Sequence, residues 1–164
     1  YLGEIADYTK AIEINPKYAK AYYNRGISNS EINDNYAAIS DYTKAIEINP
    51  EYAKAYYNRG WSKGNLKDYY GAISDFTKAI EINPKDESSY YNRGWSKGNL
   101  KDYYGAISDY TKAIEIKPNY KSAYKNRGIA KKQIGDIQGA CSDWRQTVLL
   151  SPNDNATKFL RDNC

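Results

Sequence analysis

The 164-residue sequence has no histidine and no methionine, and it has two cysteines and two phenylalanines. Without histidine, the commonest general base and metal ligand is missing. Cys141 and Cys164 do not have the spacing of zinc ligands, and no glycine-rich loop follows a strand. Asn33-Asp34-Asn35 lacks the alternating ligands and terminal Glu of a calcium loop. No catalytic residue, cofactor site or metal site is therefore expected, and the chain does not read as an enzyme. The cysteines also show no disulfide framework, so two separate thiols in a reducing compartment are expected. Cys141 then serves as a small buried apolar side chain, and Cys164 as a terminal thiol that nothing nearby activates. No apolar run approaches the roughly 18 residues of a membrane helix, and the N-terminus has no signal-peptide pattern. The reading is a cytoplasmic chain with no membrane insertion. Lacking an initiator methionine, it reads as a piece of a longer protein. The net charge of +4 is spread among interspersed acids, so no concentrated basic face for nucleic acid is expected. One glycosylation sequon, Asn155-Ala156-Thr157, reads as chance.

What the chain has in plenty is tyrosine, 19 in all, and a strict period. Pro16, Pro50, Pro84, Pro118 and Pro152 recur every 34 residues, as do Gly26, Gly60, Gly94 and Gly128 and the series Ala38, Ala72, Ala106, Ala140. Such a period means stacked supersecondary units. In the unit beginning at Ala53, helical spacing over Ala55, Tyr56, Arg59, Gly60 and Lys63 predicts one helix. Asp68 then caps a second helix, Tyr69 to Ile82, with Ala72, Ile73, Phe76, Ala79 and Ile80 on one stripe. Asn83-Pro84 ends it. A glycine inside a helix costs about 1 kcal/mol relative to alanine, so four in register imply close packing. Tyrosine, with an apolar ring and a wet hydroxyl, suits such thin architecture.

Tyr56, Gly60, Tyr69, Ala72, Phe76, Ala79 and Pro84 resemble the signature of the tetratricopeptide repeat family. The resemblance covers almost the whole chain. It implies an all-α, right-handed superhelical solenoid of stacked antiparallel helix-turn-helix hairpins, with a concave groove lined by the first helices. A single array over 1–164 is expected: a partial repeat at 1–18, complete repeats at 19–52, 53–86, 87–120 and 121–154, and a partial helix at 155–164. The repeats 53–86 and 87–120 are nearly identical. Where the family has Leu before the glycine, this chain has Arg25, Arg59, Arg93 and Arg127. Asp41, Asp75, Asp109 and Asp143 lie sixteen residues later. Each Arg is expected to pair with an Asp of its own hairpin or a neighbour, as a structural ladder. In the last repeat Cys141 and Thr147 replace the usual Ile and Ala.

The resemblance places the groove on Lys20, Tyr23, Asn24, Ile27 and Glu31 in the first complete repeat. In the second it gives Lys54, Tyr57, Asn58, Trp61 and Asn65, and in the third Ser88, Tyr91, Asn92, Trp95 and Asn99. The fourth supplies Ser122, Lys125, Asn126, Ile129, Lys132 and Gln133. Asparagines can both donate to and accept from an extended peptide backbone. Trp and Tyr beside them are residue types that dominate binding hot spots. The same asparagines could instead bond across to the next repeat, and the tryptophans pack between first helices.

The chaperone-binding subgroup of the family uses a Lys and an Asn four residues apart in one first helix. Here the corresponding pairs are Tyr23 with Ile27, Tyr57 with Trp61, Tyr91 with Trp95, and Lys125 with Ile129, so a chaperone tail is not the expected ligand. Lys121, Lys125, Lys131 and Lys132 make the last repeat basic. The function expected is a scaffold that binds a peptide or partner protein. The alternative is end-to-end self-association through apolar ends, with Ile5, Tyr8 and Ile12 at one and Phe159 and Leu160 at the other.

Overall fold

The 34-residue period becomes alternating helices in the computed structural model, which describes residues 1–151 and 156–164, without the side chains of residues 156, 158 and 159. The chain divides into two compact units, 1–84 and 85–164. The first unit holds α1 (Leu2–Ile14), α2 (Ala19–Glu31), α3 (Asn35–Ile48), α4 (Ala53–Asn65) and α5 (Tyr69–Ile82). The second holds α6 (Glu87–Asn99), α7 (Tyr103–Ile116), α8 (Lys121–Gln133), α9 (Ile137–Leu150) and α10 (Ala156–Asn163). No strand occurs among the described residues. Within the units, α2 pairs with α3, α4 with α5, α6 with α7, and α8 with α9.

One aspartate makes each sharp turn between paired helices. The backbone N–H of Asp68 donates to the Lys63 carbonyl and that of Lys67 to the Gly64 carbonyl, each at 2.9 Å, which closes the end of α4. This is the two-bond C-terminal motif that needs a left-handed residue, and Lys67 takes φ 63°. The Asp68 side chain then accepts from Gly71 N–H at 2.9 Å and caps α5. Asp34, Asp102 and Asp136 repeat both roles. Gly135 meets the left-handed requirement without a side chain, at φ 84°. The second helices end at extended residues, Asn15, Asn49, Asn83 and Lys117, because the following proline disfavours helical backbone before it. Pro152 and Asn155 lie outside the described residues.

Glycine in the first helix meets an aromatic ring in the second. A Cβ added at Gly26 would stand 2.6 Å from Tyr42 Cε1, and one at Gly128 would stand 2.4 Å from Trp144 Nε1. Tyr42 and Trp144 are fully enclosed, so neither ring has room to retreat. Around these contacts the core is small-residue and aromatic. Ala45, Ile46 and Ala55 pack with Tyr22, Tyr23, Tyr52 and Tyr56 in the first unit. In the second, Ala106, Tyr110, Ala113 and Ile114 meet Ala123 and Ala130.

The arginine ladder resolves into a bracket. Arg59 Nε and Nη2 donate to the two oxygens of Asp75 at 2.9 and 2.7 Å, and Nη1 donates to Thr43 Oγ1 of α3 at 3.0 Å. Arg25 holds Asp41 and Thr9, and Arg127 holds Asp143 and Thr111, in the same way. Arg93 pairs with Asp109 at 2.7 Å. The aspartate belongs to the arginine's own hairpin, and the threonine to the preceding second helix. Each threonine hydroxyl in turn donates a hydrogen bond to a carbonyl four residues earlier, as Thr43 does to Ile39 at 2.7 Å. Lys63, Lys97 and Lys131 add a second cation to Asp75, Asp109 and Asp143. In the first hairpin the Asn29 amide donates to Asp41 instead.

The cysteines depart from the sequence expectation. Cys141 and Cys164 are joined in a disulfide across 23 residues, with Cα atoms 5.9 Å apart. The cause is that α10 packs on α9, so that Leu160 rests half-buried against Ala140 and Trp144. The argument from separate thiols to a reducing compartment therefore loses its premise. Leu160 is likewise not an exposed apolar end, and the Phe159 side chain lies outside the described residues.

Two outcomes test this packing. Gly128→Ala should lower the unfolding free energy by about 1–3 kcal/mol, because overpacking outweighs the roughly 1 kcal/mol gained in helix propensity. Gly3→Ala, with no atom within 4 Å of the new methyl, should leave stability unchanged or raise it. Urea unfolding of the pair fixes the sign. By the same measurement Asp75→Ala should cost about 2–4 kcal/mol, since it leaves the half-buried charges of Arg59 and Lys63 without their buried partner.

Candidate functional site

The first helices carry most of the predicted groove residues on one face, but the structure sorts them into two groups. The first group is spent on joining hairpins. Asn58 Nδ2 of α4 donates to Tyr23 Oη of α2 at 3.2 Å, and Asn126 Nδ2 of α8 donates to Tyr91 Oη of α6 at 3.0 Å. Tyr23 lies against the rings of Tyr42 and Tyr52, at centroid distances of 5.9 and 4.7 Å. Tyr91 does the same with Tyr110 and Tyr120, at 5.7 and 5.0 Å. Asn92 is buried and donates to the Ser88 carbonyl at 2.9 Å. Asn58 and Asn126 thus each bond to a tyrosine of the preceding hairpin, the alternative that the sequence left open for them, whereas Asn92 bonds within its own helix. Asn24 is half-buried, and Lys20, Lys54 and Lys132 are exposed.

The second group surrounds two hollows. In residues 1–84, Ile27 and Glu31 of α2, Tyr42 of α3, and Tyr57, Asn58 and Trp61 of α4 enclose about 220 Å³. In residues 85–164, Trp95 and Asn99 of α6, Tyr103 and Tyr110 of α7, and Asn126 and Ile129 of α8 enclose about 230 Å³. Trp61 and Trp95 remain 48% and 39% exposed, a large apolar area left in water beside each hollow. Lys20, Lys54, Lys125 and Lys132 line neither hollow.

Sequence reasoning missed the floors, Tyr42, Tyr103 and Tyr110, because it assigned the face to first helices alone. A signal existed. Tyrosine at the aromatic position of a second helix must bring its hydroxyl to a polar edge, and the hollows are that edge. Burial pushes the phenols of Tyr42 and Tyr110 well above the ordinary value of 10.0. The neighbouring Tyr23 and Tyr91 add to the rise, and hydrogen bonds with Asn58 and Asn126 oppose it.

Among the described residues no group of three or more His, Cys, Asp or Glu side chains could hold a metal ion. No helix among them is long and apolar enough to cross a membrane. What the two hollows offer is aromatic rings, amides and one carboxylate.

Comparison with known proteins agrees with this architecture. The family model described as tetratricopeptide repeat matches residues 19–52, 53–86 and 88–120. No curated protein matches the chain in sequence. Among solved structures, a crystal structure of MamA superposes with a TM-score of 0.88 at 24% identity, covering 90% of this chain and 86% of that one. MamA 41-end from Desulfovibrio magneticus RS-1 gives 0.86 at 17% identity, with 92% and 85% covered. The first such repeat domain of Spaghetti (RPAP3), bound to the HSP90 peptide SRMEEVD, gives 0.66 at 28% identity, with 67% and 88% covered.

Because the unfolded chain binds no proton at a phenol above its ordinary value while folded Tyr42 and Tyr110 still do, stability should be full below pH 10 and fall as pH rises beyond it. Tyr42→Phe and Tyr110→Phe should flatten that alkaline loss in denaturant titrations run across this range.

Proposed function

The chain belongs to the tetratricopeptide repeat family, a scaffold fold for protein interaction, and from that premise we propose that its first-helix faces bind an extended peptide segment of a partner protein. The observation that carries the reading is the pair of hollows, each beside an exposed tryptophan and bordered by an asparagine. A tryptophan left in water at the rim of a cavity gains most when a ligand covers it, which is how interface hot spots arise. The hollows are large enough for single side chains. With a side chain seated in a hollow, the peptide backbone would run past the remaining polar atoms of the helices around it.

The partner proposed is not a chaperone tail. The RPAP3 structure holds an HSP90 peptide, but no first helix of this chain has both the Lys and the Asn at the two clamp positions of that subgroup, Lys125 being followed by Ile129 in place of the Asn. The protein acts, in this reading, as a non-enzymatic scaffold. Self-association through the chain ends has less behind it, since Leu160 is packed against Trp144 and Ala140. At the other end Ile5, Tyr8 and Ile12 of α1 are half-buried, and Leu2 and Ile14 are exposed beside them.

Selection from a random peptide library on the immobilised chain tests the reading. Wild type should enrich a family of related sequences. A double variant, Trp61→Ala with Trp95→Ala, should enrich none of them while its far-ultraviolet circular dichroism stays helical. Equal recovery of the same peptides by both proteins would overturn the proposal.

A further inference from the structure

The two hollows occupy equivalent places in their units and differ in one charge. Taken in register, Ile27 corresponds to Trp95, Glu31 to Asn99, and Trp61 to Ile129, while Tyr42 matches Tyr110 and Asn58 matches Asn126. The tryptophan and isoleucine walls exchange sides, and a carboxylate becomes an amide.

Glu31 is the last residue of α2 and is exposed. The C-terminal end of a helix already carries partial negative charge, so the carboxylate adds to a field of its own sign. No ion pair to Glu31 occurs among the described residues. Cations of the same helices are committed elsewhere: Arg25 of α2 to Asp41, and Arg59 and Lys63 of α4 to Asp75. Phenols face it instead. The charge of Glu31, then a hydrogen bond to it, raises the Tyr1 phenol. Burial and Tyr23 chiefly raise that of Tyr42, with a smaller addition from Glu31. The first hollow therefore combines a carboxylate that no described ion pair neutralises with the rings of Tyr57 and Trp61. A cation over such ring faces is attracted by their quadrupoles, and a planar guanidinium can also take both carboxylate oxygens at once.

We propose that the hollow at Glu31 and Trp61 receives a basic side chain, arginine or lysine, from a bound peptide; the hollow at Asn99 and Trp95, taken by itself, has no charge to set such a preference. The proposal rests on the reading of the first-helix faces as a peptide site. It assigns to this chain a charge preference set by one residue.

The same library selection, run on wild type, Glu31→Gln and Glu31→Asp, decides it. Wild type and Glu31→Asp should enrich peptides with a basic residue at one fixed position. Glu31→Gln should lose that preference by about tenfold while keeping the apolar preference elsewhere in the motif. Glu31 is exposed, so the variants should unfold at the same temperature as wild type. Enriched peptides without a basic position, or with one that survives Glu31→Gln, would overturn the charge assignment and leave peptide binding standing. Failure of wild type to enrich any peptide would overturn both.

Discussion

The buried arginine bracket is the constraint on which the hairpins depend. Asp75 is almost wholly removed from water, and a lone carboxylate there would be untenable. It is made tolerable by two donors from Arg59 and one from Lys63. The guanidinium has five N–H groups in a fixed fork. Two of its nitrogens serve Asp75 and the third reaches Thr43 on the preceding second helix. An apolar side chain at position 59 could pack in several registers, whereas the fork fits one. Replacement of the family's leucine by arginine thus ties hairpin closure and attachment to the previous hairpin into one set of bonds. The Tyr56 ring, 5.5 Å from the Arg59 guanidinium carbon, covers a face of the same group.

That bracket is reached only because the helices approach closely. Gly26 against Tyr42 and Gly128 against Trp144 leave no space for a methyl group. Alanines at 38, 72, 106 and 140 are fully buried on the partner helices. Close approach also fixes where the aromatic rings end. Tyr42 and Tyr110 are pressed against α2 and α6 and reach through to the hollows, where their hydroxyls find polar surroundings. The packing residue and the floor of the hollow are thus the same side chain. This explains a tyrosine where a phenylalanine would pack as well.

Much of this was legible in the sequence, and what was not has a common cause. Prolines and glycines in a 34-residue register gave the helices, the aspartate cap at Asp68 and the end at Asn83 directly, because those signals are local. Pairing of Arg59 with Asp75 was foreseeable as a class, but the choice of Thr43 as third partner depends on how successive hairpins sit within a unit. The same dependence left open whether Asn58 bonds to a neighbouring hairpin or faces a ligand, and it hid the contribution of Tyr42 to a face assigned to first helices. The disulfide was hidden further still. Cys141 and Cys164 meet only because α10 packs on α9, and nothing in their spacing signals that contact.

A repeat array built this way has a property that reading single repeats conceals. Each hollow takes one wall from one hairpin and the opposite wall from the next, so its chemistry belongs to the pair. The repeats 53–86 and 87–120 are nearly identical, with Trp61 and Trp95 at the same place in each. Yet Trp61 faces a hollow whose other wall is Ile27 with Glu31, and Trp95 a hollow whose other wall is Ile129. Duplication of a hairpin therefore need not duplicate a site. Divergence in a flanking repeat is enough to turn a neutral hollow into a charged one, because the arginine bracket and the glycine contacts that carry the fold use none of the residues that differ.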